Sequence, residues 1–149
     1  MDNEKRQEVQ AWLAKACNDL RAAEVDLAAV PPLVEDALFH CQQATEKAMK
    51  AFLTAHDTLF RKTHDLDELA AACERIDPVL RKSLDPARDL TVFAWQFRYP
   101  GGDVAPPESE AHDSLVLAQS TVDAIAERLR QACPDLMEGE AQERVNNEE

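Results

Sequence analysis

Apolar residues recur along this chain at intervals of three and four, the spacing of helices that bury one face. From about Glu4 to Ala29 the seam is Val9, Trp12, Leu13, Ala16, Leu20, Ala23 and Leu27. Pro31-Pro32 ends that helix and opens the next, because proline suits a first helical turn and breaks an interior. The second helix, Leu33 to Ala55, places Leu38, Cys41, Thr45, Ala48, Met49 and Phe52 on its core arc. A connection from Thr54 to Lys62 follows, with His56 and Phe60 in it. Asp65 and Glu68 then fit a capping box, and Thr63 offers a second cap just before it. The short helix they open carries Leu66, Leu69, Cys73 and Ile76 and stops at Asp77-Pro78. After a helical turn over Val79 to Leu84, Asp85-Pro86 starts a helix to about Phe97, with Leu90, Phe93, Ala94 and Phe97 facing inward. Arg98 to Pro107 is loop, marked by Pro100, Gly101-Gly102 and Pro106-Pro107. The last helix runs from about Glu108 to Ala132 on Leu115, Ala118, Val122, Ile125 and Leu129. The pattern predicts an all-α fold: an antiparallel up-and-down four-helix bundle with an additional short helix. The helical body is expected over residues 1–133, and the acidic segment 134–149 is expected to be a disordered tail.

Composition narrows the picture. Only three glycines occur in 149 residues, and helix-favouring Ala, Leu, Glu and Gln dominate. No apolar run reaches the roughly 18 residues a membrane span needs, and the charged start is unlike a signal peptide, so the cytoplasm is the expected location. Cys17, Cys41, Cys73 and Cys133 lack the spacing of a metal or disulfide framework, and the first three sit among apolar helix positions, as small buried hydrophobes do. No cofactor or metal is expected, since no HExxH or paired Glu-x-x-His motif is present. The formal charge of −13 opposes nonspecific nucleic-acid binding, which needs a basic face. That charge is uneven: from Phe39 to His64, Lys47, Lys50, Arg61 and Lys62 stand against Glu46 and Asp57, four bases to two acids, or net +2.

The candidate chemistry lies in that window. His40, Gln43, Lys47 and Lys50 follow i, i+3, i+7, i+10 spacing and share one face of the second helix. Such aligned donors fit an anion, with Lys47 and Lys50 on phosphate oxygens and Gln43 and His40 adding hydrogen bonds. Arg98 supplies a planar fork for phosphate, and Tyr99, the single tyrosine, a ring on which a base stacks. His64 is a phosphate contact or general base, imidazole being the side chain that ordinarily titrates near neutrality. Each has a plainer reading: a solvated helix face with Glu46 and Lys50 as an i, i+4 pair, Arg98 on terminal carbonyls, Tyr99 packed over the bundle end, and His64 bonded to its loop. Trp95, i, i+4 from Tyr99 on a face turned away from Phe93 and Phe97, fits an interface, as does Phe39 beside the polar face.

Three segments resemble the HEPN family in order and spacing: Gln42-Gln43-Ala44-Thr45-Glu46-Lys47-Ala48-Met49-Lys50-Ala51-Phe52-Leu53, Thr63-His64-Asp65-Leu66 and Arg98-Tyr99-Pro100. They follow an opening, Trp12 to Leu20, similar to the family's first helix, and the likeness covers about residues 8 to 132. The resemblance implies a helical bundle that commonly dimerises and kinship with the substrate-binding helical domains of small nucleotidyltransferases. It implies nucleotide or RNA phosphate bound through Gln43, Lys47, Lys50, His64, Arg98 and Tyr99. It also implies a partner, a minimal nucleotidyltransferase, in a toxin–antitoxin-like pair. Many relatives are ribonucleases that use an Arg followed after four to six residues by a His. Here the histidine after Arg98 is His112, Arg88 has none in range, and Arg61 and His64 are too close. No catalytic residue is therefore assigned. Two alternatives stand beside the nucleotide-binding reading: a metal-independent ribonuclease toxin using His64 or His112 with Arg98, and a non-catalytic dimeric interaction module anchored by Phe39, Trp95 and Tyr99.

Overall fold

The structure is a computed structural model and describes residues 1–97, 99–101, 104 and 106–136. All regular structure among the described residues is helical: α1 (Asn3–Ala28), α2 (Val34–Ala55), α3 (Leu66–Ile76), α4 (Arg81–Leu84) and α5 (Glu108–Ala132), with short 3₁₀ turns between them. No helix among the described residues is long and apolar enough to cross a membrane. The first, second and last helices match the expected seams closely, with Ala16, Ala23, Leu38, Met49, Phe52, Ile125 and Leu129 sealed from solvent. Asp65 starts α3 by accepting the Asp67 amide at 2.9 Å, and Thr63 Oγ1 accepts the Asp65 amide at 3.0 Å. The expected capping box is therefore only half made: Thr63 takes the amide that Glu68 would have taken, and Glu68 pairs with Arg61 instead.

Three expectations are corrected. Where a fourth long α-helix was expected, the chain forms a 3₁₀ run, Pro86–Ala94, and a turn over 95–97. A 3₁₀ helix has three residues per turn, so Ala87, Leu90 and Phe93 stack along one edge. The first two are buried and Phe93 packs against the core. Side-chain ties hold the run: Thr91 Oγ1 accepts the Leu66 amide, and the Arg88 guanidinium reaches Asp67, Glu74 and Asp85. Second, Cys17 is exposed rather than buried, whereas Cys41 and Cys73 are buried and burial pushes their thiols up to about 12. Third, the face of α2 bearing His40, Lys47 and Lys50 is no solvated face. Segment 137–149, most of the expected tail, lies outside the described residues; Pro134–Leu136 forms a 3₁₀ turn whose Leu136 is buried, its carbonyl accepting from Gln10 at 2.7 Å.

α2 is the hub, packed along α1 and also touching α3, α5 and the 3₁₀ run. A helix with neighbours on several sides must pair whatever polar groups it carries, because burying one unpaired costs free energy. Along the α1 contact, Lys47 Nζ donates to Asp19 Oδ2 at 2.5 Å and His40 Nδ1 lies 3.0 Å from Asp19 Oδ1. Asp26 is less well served. Its Oδ2 is buried without a hydrogen bond among the described residues, 3.8 Å from His40 Nε2. Burial raises its carboxyl above the ordinary value; His40 opposes that rise and Asp36 adds to it.

Two stability outcomes follow. Phe52→Ala empties the centre of the core and costs about 3–5 kcal/mol in denaturant unfolding. Asp26→Asn raises the melting temperature at pH 7 by roughly 1–3 °C. A carboxyl whose folded pKa is raised favours the fold below its unfolded pKa and loses that contribution as pH rises through the folded value. The gain from Asp26→Asn therefore shrinks as pH falls toward about 4, which melts at a series of pH values would follow.

Candidate functional site

Glu46 organises the polar residues of α2. Its side chain is 4% exposed, and both of its oxygens are used. Oε2 accepts from Lys50 Nζ at 3.1 Å, while Oε1 lies 2.7 Å from His64 Nδ1 and accepts from Gln42 Nε2 at 3.2 Å. The Lys50 ammonium also sits 5.6 Å from the Trp12 ring centroid and 5.7 Å from that of Phe60, a cationic group set against two π-faces. A pair this deeply buried costs desolvation on both sides, and it persists because partners satisfy each charge.

His64 is placed by backbone on both flanks. Its own carbonyl accepts from Gln42 Nε2 at 3.2 Å, and two residues on, buried Leu66 donates its amide to Thr91 Oγ1. The imidazole is left 65% exposed at its side chain with Nδ1 held by Glu46. It lines a shallow groove of about 270 Å³ with Phe39, Gln43, Ala94, Trp95 and Tyr99. Trp95 is about half exposed and Tyr99 more so. Phe39 also borders a neighbouring groove with Glu35, Asp36, His40, Phe93 and Phe97, where Phe93 and Phe97 stack at 6.1 Å.

The residues singled out from the sequence thus divide. Gln43, His64 and Tyr99 meet in one groove, together with Phe39 and Trp95. Lys47 and Lys50 do not line it: the first is engaged by Asp19 and the second by Glu46. Arg98 lies outside the described residues. His112 stands on α5 beside Glu108 at 3.3 Å. Sequence reasoning gave Gln42 no site role and weighed Glu46 only as half of an i, i+4 pair, the plainer alternative to Lys50 on phosphate. The available signal was the i, i+4, i+8 run Gln42, Glu46, Lys50 at the edge of the α2 core arc, where polar residues meet neighbouring elements rather than water.

The groove combines aromatic and polar surface. Three aromatic rings supply π-faces, and the Gln43 amide and His64 imidazole supply the hydrogen-bonding groups; none of the six lining residues is an acid, lysine or arginine. Aromatic faces of this kind can stack on a planar ring.

Comparison with known proteins agrees with this architecture. The family model for the HEPN domain matches residues 9–129. The crystal structure of TT1696 from Thermus thermophilus is similar to this chain with a TM-score of 0.69 and 28% sequence identity, over 82% of this chain and 98% of that one. No curated protein matches the chain significantly. A family model spanning most of the sequence, together with the shared fold, establishes that the chain belongs to the HEPN domain family.

Proposed function

We propose that this HEPN protein binds a nucleotide, free or as part of RNA, by its base in the groove between α2, the His64 segment and the turn after Ala94. Trp95 and Tyr99 stack on the base, and Gln43 and His64 bond its edge. The phosphate is met by Arg98, adjacent to Tyr99 in sequence, rather than by Lys47 and Lys50, whose ammonium groups already serve Asp19 and Glu46. One observation carries the reading: Gln43, His64 and Tyr99, far apart in sequence, line one groove with two further aromatic side chains. Within the family such a module fits the helical half of a toxin–antitoxin-like pair with a minimal nucleotidyltransferase, working as a homodimer in the cytoplasm.

A second reading, metal-independent RNA cleavage, is favoured by the His64–Glu46 pair, since an exposed imidazole backed by a buried carboxylate is arranged to move a proton. Cleavage of this kind also needs a group that stabilises charge on the phosphate; Arg98 would supply it, but the Arg-to-His spacing of four to six residues that the family's ribonucleases use is absent here.

Thermal melts with a mixture of ribonucleoside monophosphates test the binding role. Ligand at a hundredfold its Kd raises the melting temperature by about 5–10 °C in the wild type. Tyr99→Ala, at a largely exposed side chain, removes most of that rise while leaving the unliganded melt in place; His64→Ala also removes the rise but lowers the unliganded melt, because it takes a partner from the buried Glu46 carboxylate. A wild type unmoved by any nucleotide contradicts the proposal. Incubated with total RNA, the purified protein leaves it intact; cleavage that disappears with His64→Ala establishes the second reading instead.

A further inference from the structure

We infer that the groove selects bases carrying an exocyclic amino group, a specificity that rests on the base-binding reading above and is set from the buried side by Glu46. A carboxylate offers only acceptors, and so does a backbone carbonyl. Gln42, fully buried, lies with its Nε2 3.2 Å from Glu46 Oε1 and 3.2 Å from the His64 carbonyl. Two acceptors on one side fix the amide: its NH₂ faces them and its Oε1 faces away. That oxygen accepts from Gln43 Nε2 at 2.7 Å. The second amide is oriented in turn, its nitrogen drawn inward and its carbonyl Oε1 without a partner among the described residues.

The same carboxylate fixes the imidazole. At 2.7 Å from Glu46 Oε1, His64 Nδ1 must carry the hydrogen, so in the neutral ring Nε2 holds a lone pair. Nε2 likewise has no partner among the described residues. One buried acid therefore polarises two chains of hydrogen bonds, each ending on a residue that lines the groove, with an acceptor left over in Gln43 Oε1 and His64 Nε2. Between aromatic faces, two acceptors match the two hydrogens of an amino group such as adenine N6 or cytosine N4. Hypoxanthine and uracil present a carbonyl oxygen at that position and set lone pair against lone pair. A site built for a donor discriminates strongly against an analogue that lacks it, because its polar groups are then left unpaired.

Calorimetric titration of the full chain with AMP, IMP, CMP and UMP tests this at constant phosphate charge. AMP and CMP bind at least about tenfold tighter than IMP and UMP. His64→Ala and Gln43→Ala each collapse the ratio to within about threefold, mainly by weakening the amino-bearing ligands. Both substitutions leave the Glu46–Lys50 ion pair itself in place, and a melt of each variant checks that it is folded; Glu46→Gln would strand Lys50 and endanger folding. Equal affinities, or tighter binding of IMP or UMP, overturn the selectivity and leave base binding standing. A preference that survives in the His64→Ala/Gln43→Ala double variant overturns the assignment to these residues. Absence of binding by all four removes the base-binding reading and this inference together.

Discussion

The Glu46 carboxylate is the constraint around which the rest of this protein is arranged. It lies inside the helical body with Lys50 on one oxygen and His64 and Gln42 on the other. Apolar residues of the same volume would stabilise the interior at least as well, since a buried ion pair seldom gains over a hydrophobic replacement. What the pair provides is direction. It fixes where the Thr63-His64-Asp65 segment crosses α2 and which atom of the imidazole faces outward. It also holds the Lys50 ammonium between Trp12 of α1 and Phe60 of the connection, so three parts of the chain meet at one acid.

Much of the fold was readable from residue order. The apolar seams of α1, α2 and α5, the Asp65 cap and the breaks at Pro31-Pro32 and Asp77-Pro78 each have a local cause, and each is found where the pattern put it. The 3₁₀ run was not, because Ala87, Leu90 and Phe93 at intervals of three satisfy either helix type. Ties from outside the segment, to Leu66 and through Arg88 to α3, are what hold the tighter winding.

The site was half readable for a similar reason. Periodicity says which residues share a face of a helix but not how many neighbours the helix has. Had α2 packed on one side only, His40, Lys47 and Lys50 would have faced water and been open to an anion. With α1 laid along it, His40 and Lys47 meet Asp19, while Lys50 pairs with Glu46 of its own helix and lies against Trp12 of α1. Gln43, His64 and Tyr99 could be nominated from residue type and family resemblance, but their meeting depends on the turn that follows the 3₁₀ run. The outcome is a groove lined by aromatic rings, an amide and an imidazole, with Lys47 and Lys50 paired outside it.

The central claim, that a buried acid sets the hydrogen-bonding polarity of this groove, is tested most directly by the ring nitrogens of His64. In ¹⁵N-labelled protein above neutral pH, two-bond ring correlations report which nitrogen bears the hydrogen. The expected result is a single tautomer with hydrogen on Nδ1 and a pyridine-like Nε2, because Glu46 Oε1 lies 2.7 Å from Nδ1. A ring carrying its hydrogen on Nε2, or averaging between the two forms as a free imidazole does, would contradict the account.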